Sequence, residues 1–328
     1  METKRTIAAM RAGALALGAL ALLASQAAAE PVYIDPELAA EDPDFHVQGE
    51  YAADGLGAQI IARGDHSFEG FLLPGGLPGA GWTGEGRQHF SGQTDGEDIT
   101  RFEGHGLELA IEDGTLTVRY DNGAMKARLP RVERVSATKR LEAPDSAIIL
   151  FDGPDDAENW ENGRVDDRGL LMQGVTSKQS FGDHHIHVEF LIPFRPHARG
   201  QGRGNSGIYV QSRYEVQMLD SFGDEPHHSH NGGIYSVAEA ELNMSYPPLR
   251  WQTYDIEFTA ARFDDEGNKT EDARMTVYHN GVKVHDDVAV PHTTTASPIG
   301  NESAEPGPIN LQDHGNPVRY RNVWVVEK

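Results

Sequence analysis

Glu215 and Gln217 alternate with Tyr214, Val216 and Met218 in the stretch RGNSGIYVQSRYEVQMLD (203–220), and Asp220 follows directly. An acid and an amide spaced by two point to the same side of a strand, where together they can bind hydroxyl groups or move a proton. The ordinary alternative is a solvated sheet face. Read as a hairpin, the stretch keeps its faces apart only if a three-residue loop, 211–213, joins the strands. Val210 then faces Tyr214, Ile208 faces Val216 and Ser206 faces Met218, all on the apolar side. The other side carries Tyr209 beside Glu215, Gly207 beside Gln217 and Asn205 beside Leu219. A slip of one residue would bury the acid and expose the core, so this register is predicted. Gly207 has no side chain, which predicts a vacancy the size of a sugar in a face ringed by Tyr and Glu.

A second polar face recurs near the C-terminus. In GPINLQDHG (307–315), Ile309 and Leu311 point one way and Asn310 and Gln312 the other, with Asp313 and His314 at the strand's end. In the last strand Val318 and Tyr320 share one phase while Val323 and Val325 share the opposite one, so a bulge is predicted near Arg321-Asn322. Tyr209, Tyr235 and Trp251 are candidates to stack on sugar rings or to pack; Trp160 reads as core. The histidine groups DHHIH (183–187) and PHHSH (226–230) suggest a metal, but the sequence does not show partner carboxylates or an open coordination position for them, and no metal is assigned. GQGRGNSG (200–207) lacks the strand-then-helix setting of a nucleotide loop. DDEGNKTED (264–272) lacks the ligand order of a calcium loop and reads as a hairpin tip.

The elements that must position these groups are strands. Period-two alternation runs through most segments and helical periods are absent. Residues 31–50 read as an extended lead-in. In LELAIEDGTLTVRYDNGAMKARL (107–129), Asp113-Gly114 and Asn122-Gly123 predict a three-stranded meander. The loop at 72–82 reads as ordinary rim, and 131–146 as a linker or bridging strand. A second unit opens at AIILFDG (147–153) and includes the predicted strands 232–237 and 250–263 and a hairpin turn at His279-Asn280-Gly281. The domain division is therefore 1–29, 30–146 and 147–328, and the fold class is all-β, an antiparallel sandwich with an additional N-terminal β-rich domain.

Composition agrees. Hydrophobic residues make up 38% of the 328, with 36 Gly and 18 Pro, a balance that suits short strands and loops. Residues 1–29 place Lys4, Arg5 and Arg11 before an Ala/Leu/Gly run ending in Ala27-Ala28-Ala29, the pattern of a cleaved export signal rather than a membrane span. Cleavage there removes three basic residues and one acid, taking the formal charge from −23 to −25. The leader predicts a periplasmic or secreted protein with no membrane contact once the signal is removed, and a chain this acidic is predicted to repel nucleic acid and anionic membrane surfaces. With 0 Cys, disulfides, thiolate catalysis and Cys-ligated metals are excluded.

GNSGIYVQSRYEVQMLDSFG, GGIY, PPLRWQTYDI and INLQDHGNPVRYRNVWV, with ILFDG…NW before them, resemble the 3-keto-disaccharide hydrolase family, in the same order over about 147–328. The resemblance does not extend to 31–146. It implies a concanavalin A-like jelly-roll sandwich and cleavage of a glycosidic bond in a sugar already oxidised at C3; no cofactor is expected. A C3 ketone acidifies the C2 hydrogen, so a base can remove it, the leaving group departs by elimination, and water adds back. By position in the motifs, Glu215 and His314 are cast as the acid and base in either order, and Asp220 as an orienting or polarising group. Gln217, Gln312 and Arg213 are cast as holders of sugar hydroxyls or the ketone. The substrate expected is a 3-keto-glycoside. A non-catalytic carbohydrate-binding envelope protein is the alternative, and a purely structural envelope protein a weaker one.

Overall fold

An alternating strand with one apolar face needs that face covered and its edges paired. The two β-rich segments of this chain meet those needs differently. The computed structural model describes residues 30–328 apart from Asp54 and Glu97, so the predicted leader lies outside the described residues. The first segment closes on itself. Its strands are β1 (Gly49–Ala53), β2 (Leu56–Ala62), β3 (Ser67–Pro74), β4 (Gln88–Thr94), β5 (Thr100–Gly104), β6 (Leu107–Glu112), β7 (Thr115–Tyr120) and β8 (Met125–Val132). Each pairs with the next, and β1 returns to β8 through Glu50↔Val132 and Tyr51↔Arg131, so the sheet is a closed barrel. The predicted meander is β6–β8; Asp113 and Gly114 both take positive φ, 47° and 69°, as a tight hairpin turn requires.

Residues 31–50 are not extended throughout, as expected from sequence. They form two short helices, Pro36–Ala39 and Pro43–Val47. Each begins with an Asp (Asp35, Asp42) whose carboxylate accepts a first-turn N–H, followed by a proline in the first helical position. Capping chemistry too short to show a period overrode the extended reading.

The second segment is a sandwich of two antiparallel sheets. Its strands in chain order are β9 (Ile148–Phe151), β10 (Trp160–Glu161), β11 (Leu171–Met172), β12 (Val175–Phe181), β13 (His184–Leu191), β14 (Ser206–Val210) and β15 (Tyr214–Met218). There follow β16 (Gln252–Thr259), β17 (Ala273–His279), β18 (Val282–Val290), β19 (Gly307–Leu311) and β20 (Arg319–Glu327). The front sheet runs β10-β12-β19-β14-β15, and the back sheet β9-β20-β13-β16-β17-β18. Neighbours distant in sequence mark the crossed connections of a jelly roll. Between the sheets lies a continuous apolar core that includes Ile208, Val216, Met218, Leu311, Ile256 and the predicted Trp160.

Two register predictions hold. β14 and β15 pair Ser206↔Met218, Gly207↔Gln217, Ile208↔Val216, Tyr209↔Glu215 and Val210↔Tyr214. In β20 the partner of β13 jumps from Trp324 to Arg321 as β13 advances from His187 to Glu189, and Asn322 takes a φ of 45°, so the predicted bulge is present. One prediction needs correction. Residues 232–237 make isolated bridges, Val216↔Ile234 and Ile234↔Ala238, and no strand: Gly233 and Tyr235 bond the outer edge of β15 and the chain then turns back on itself.

The barrel and the sandwich lie in one compact unit, residues 31–328. Leu191, Phe194 and Leu249 of the second segment belong to the barrel's apolar cluster, with Trp251 packed against it. The linker 133–146 straps the back sheet: Ser136 and Thr138 bond the Thr253 hydroxyl, and the Arg140 amide donates to the Glu189 carboxylate.

Candidate functional site

Tyr209, Glu215, Gln217 and Gln312 project from the outer face of the front sheet, where β19, β14 and β15 lie side by side. They line a cleft of about 140 Å³, completed by Tyr235 and His314 at its rim. Gln201, Asn205, Thr295 and Ala296 supply its remaining wall. Six of the residues expected from sequence are thus brought together. The predicted vacancy over Gly207 is not empty, however. The Glu215 side chain lies across it, so that a Cβ at 207 would meet Oε1 at 2.1 Å. Glycine there makes room for the carboxyl.

Glu215 is 2% exposed. Burial in this setting pushes its pKa up to about 8, opposed by the hydrogen bond to Tyr209. The surrounding bonds fit a neutral acid. Tyr209 Oη is 2.8 Å from Oε2 and 3.0 Å from the Thr295 carbonyl. One hydroxyl proton serves one of these bonds; with Glu215 protonated, Oε2 donates to Tyr209 and Tyr209 donates to Thr295. With its nitrogen turned toward Glu215, the Gln217 amide donates to Oε1 at 3.0 Å and to the Ser206 carbonyl at 3.1 Å. The Glu215 amide donates to Thr294 Oγ1 at 2.9 Å. Gln312 Nε2 lies 3.3 Å from Tyr209 Oη, while Gln312 Oε1 is buried without a partner among the described residues. A buried acceptor beside a cleft is ready for a ligand hydroxyl. His314 is exposed just past β19, and its ring makes no hydrogen bond among the described residues.

Asp220, Arg213 and Trp251, also expected at the site, lie outside it. Asp220 is sealed against Arg203, Nε to Oδ2 2.6 Å. The same guanidinium donates to the Ala62 carbonyl and to Gln48 Oε1 of the first segment, so the pair fastens barrel to sandwich. Asp220 falls past the end of β15, where the strand's alternation no longer sets its direction. Arg213 sits in the hairpin loop and turns away, donating to the Asn301 and Glu305 carbonyls and to Ser303 Oγ to hold the loop 301–305. Trp251 carries the Arg321 guanidinium 3.8 Å from its ring centre and packs on the barrel core.

Gln201, Thr294 and Thr295 were not anticipated. Gln201 lies in a single 3-10 turn and the threonines in an irregular loop, none with a period, and their approach to Gln217, Glu215 and Tyr209 is tertiary. Asn205 was legible, because it continues the polar face of β14. The histidine groups have other work. His187 Nδ1 bonds Asp255 at 2.7 Å on the back sheet, its ring stacked on Trp324. His227, His228 and His230 use their Nδ1 atoms on Ser229, on the Ser236 amide and on the Glu225 carbonyl, organising their own loop. Among the described residues no three His, Asp or Glu side chains are gathered as a metal would need.

Residues 146–326 match the model of the 3-keto-alpha-glucoside-1,2-lyase-like domain. No curated protein matches the chain. Among solved structures, a candidate glycosyl hydrolase of Parabacteroides distasonis ATCC 8503 is 33% identical, with 57% of this chain and 85% of that chain covered at a TM-score of 0.52. Another such protein of that organism is 18% identical over 56% of this chain and 94% of that chain, at a TM-score of 0.41. The family model covers the sandwich and does not extend to the barrel. With an all-β jelly roll and a buried acid in its outer cleft, the chain belongs to the 3-keto-alpha-glucoside-1,2-lyase-like domain family.

Proposed function

We infer that the protein cleaves the glycosidic bond of 3-keto-glycosides by elimination and hydration. Family membership and the 33%-identical candidate glycosyl hydrolase support glycosidase-like chemistry. The observation that carries the finer reading is that the buried Glu215 carboxyl, its pKa pushed up to about 8, and the exposed imidazole of His314 line one cleft. In this reading His314 removes the C2 proton. The C2–H electron pair forms an enolate with the C3 ketone, and the Gln312 amide donates to its oxygen. Collapse of the enolate forms the C1=C2 double bond and breaks the C1–O bond, while Glu215 gives its proton to the departing oxygen. Water then adds its oxygen to C1, losing a proton to Glu215, and C2 recovers a proton from His314. Each residue ends as it began. We also propose export with cleavage after Ala29, which rests on the leader's pattern and is checked by sequencing the N-terminus of periplasmic protein.

Incubation with a 3-keto-glucoside and with the unoxidised glucoside tests the reading. Cleavage of the ketosugar alone is expected; inertness toward both would leave a carbohydrate-binding role instead. Glu215→Gln is expected to lower kcat by about 10²–10⁴-fold while still binding sugar. Because the acid must be protonated, wild-type kcat should fall as pH rises through about 8. A rate that climbs through that pH would exchange the two roles.

A further inference from the structure

The cleft around Glu215 is smaller than the roughly 300–1,000 Å³ that encloses a drug-sized ligand, and at about 140 Å³ it takes one sugar unit. The rest of a glycoside must lie beyond it. A second opening, about 550 Å³, lies where the barrel meets the sandwich, lined by Phe71, Arg87 and His89 of the barrel and Asp224, Glu225 and His230 of the sandwich. We propose that this groove is the subsite for the leaving group, and that it takes a second neutral sugar unit; the assignment rests on the reading of the Glu215 cleft as the reaction site.

The loop 227–230 connects the two openings. His230 lines the groove, His227 stands 5.4 Å from it ring to ring, and His228 is 4.1 Å from His227. His228 then meets Tyr235, a wall of the cleft, edge-on at 5.7 Å. On the other side Gln201, also a wall of the cleft, donates to the Ser229 carbonyl at 3.1 Å. A glycoside seated on Glu215 and leaving past Tyr235 is therefore led along this loop toward the barrel.

The groove's chemistry suits a polyol. The Arg87 guanidinium lies 3.4 Å over the Phe71 ring centre, which fixes its plane, and His89 packs beside the same ring at 5.1 Å. Asp224, Glu225 and His230 Nε2 are hydroxyl acceptors, because the Nδ1 proton of His230 goes to the Glu225 carbonyl, and Arg87 and His89 are donors. An anionic ligand is disfavoured, because Arg87 is already paired with Glu225 at 3.0 Å and Asp224 adds a further negative charge. This gives the barrel, which the family model does not cover, a part in choosing substrates.

The test compares kcat/KM for a 3-keto-disaccharide and for methyl 3-keto-glucoside in wild type, His89→Ala and Glu225→Gln, both changes at exposed side chains. Arg87→Ala is a third variant, checked for folding because Arg87 also donates to the Gly223 carbonyl. The loss on the disaccharide is expected to exceed the loss on the methyl glycoside by on the order of tenfold. Equal losses, or none, would overturn the subsite. Should wild type leave both ketosugars intact, the catalytic reading fails separately, and calorimetry with the same two compounds decides the groove. Tighter binding of the disaccharide that disappears in the variants upholds it; equal binding overturns it.

Discussion

A carboxyl held neutral by burial makes the protein's stability depend on pH in a direction opposite to that of most acids. The folded pKa of Glu215, about 8, lies above its ordinary 4.5. The folded state therefore binds the proton more tightly than the unfolded state does. The stability gained is fully present below about pH 4.5 and is lost progressively as pH rises through 8. Glu215→Gln cannot ionise, so its melting temperature relative to wild type should climb across that window, with the smallest advantage at pH 4 and the largest at pH 9. Thermal melts at a series of pH values read this directly; an offset independent of pH would mean that the carboxyl is not held neutral. Gly207 belongs to the same account. A methyl there meets Glu215 Oε1 at 2.1 Å, so Gly207→Ala should displace the acid and reduce kcat at least tenfold while the hairpin register survives. Turnover assays beside a far-ultraviolet spectrum distinguish that outcome from unfolding.

At the scale of elements, strand ends and loops join the two halves of the molecule and frame the cleft. Arg203 precedes β14 and Asp220 follows β15, and their side chains are 2% and 1% exposed. Removing one partner of such a pair leaves the other charged in a dry place. Arg203→Ala is expected to cost about 3–5 kcal/mol, seen as a lowered urea midpoint. A change below about 1 kcal/mol would show that the fastening matters little. Asp220→Asn, by contrast, should keep near-wild-type kcat per folded molecule, because Asp220 does not reach the cleft. The hairpin β14–β15 sets Tyr209, Glu215 and Gln217 on one face; the loop 292–297 then fixes the acid's backbone through Thr294 and its tyrosine through Thr295.

At the scale of the whole molecule, the barrel's core is incomplete without the sandwich. Leu191, Phe194 and Leu249 are buried in it, and Trp251 packs on it. Residues 146–328 expressed alone would expose these side chains as one apolar patch. That fragment is expected to aggregate, or to melt well below the full chain, by light scattering and calorimetry; a monodisperse fragment melting with the full chain would show that the barrel contributes nothing to the fold.

The alternation of apolar and polar residues determined the strands, the register of β14 on β15 and the bulge in β20, because each depends on neighbours close along the chain and a one-residue slip exchanges core for solvent. The same pattern placed Tyr209, Glu215, Gln217 and Gln312 on one face. It could not say where the chain leaves its strands. Asp220 and Arg213, beyond the last paired residue or inside a turn, are oriented by whatever charge or carbonyl lies nearest in space. Trp251 is taken by the barrel's core. Gln201 reaches Gln217 from a single 3-10 turn and Thr295 reaches Tyr209 from a loop, in segments whose sequence carries no period. Closure of the barrel, the groove beside it and the burial that raises the Glu215 pKa were likewise decided by tertiary structure, since burial and long-range contact exist only once distant segments have met.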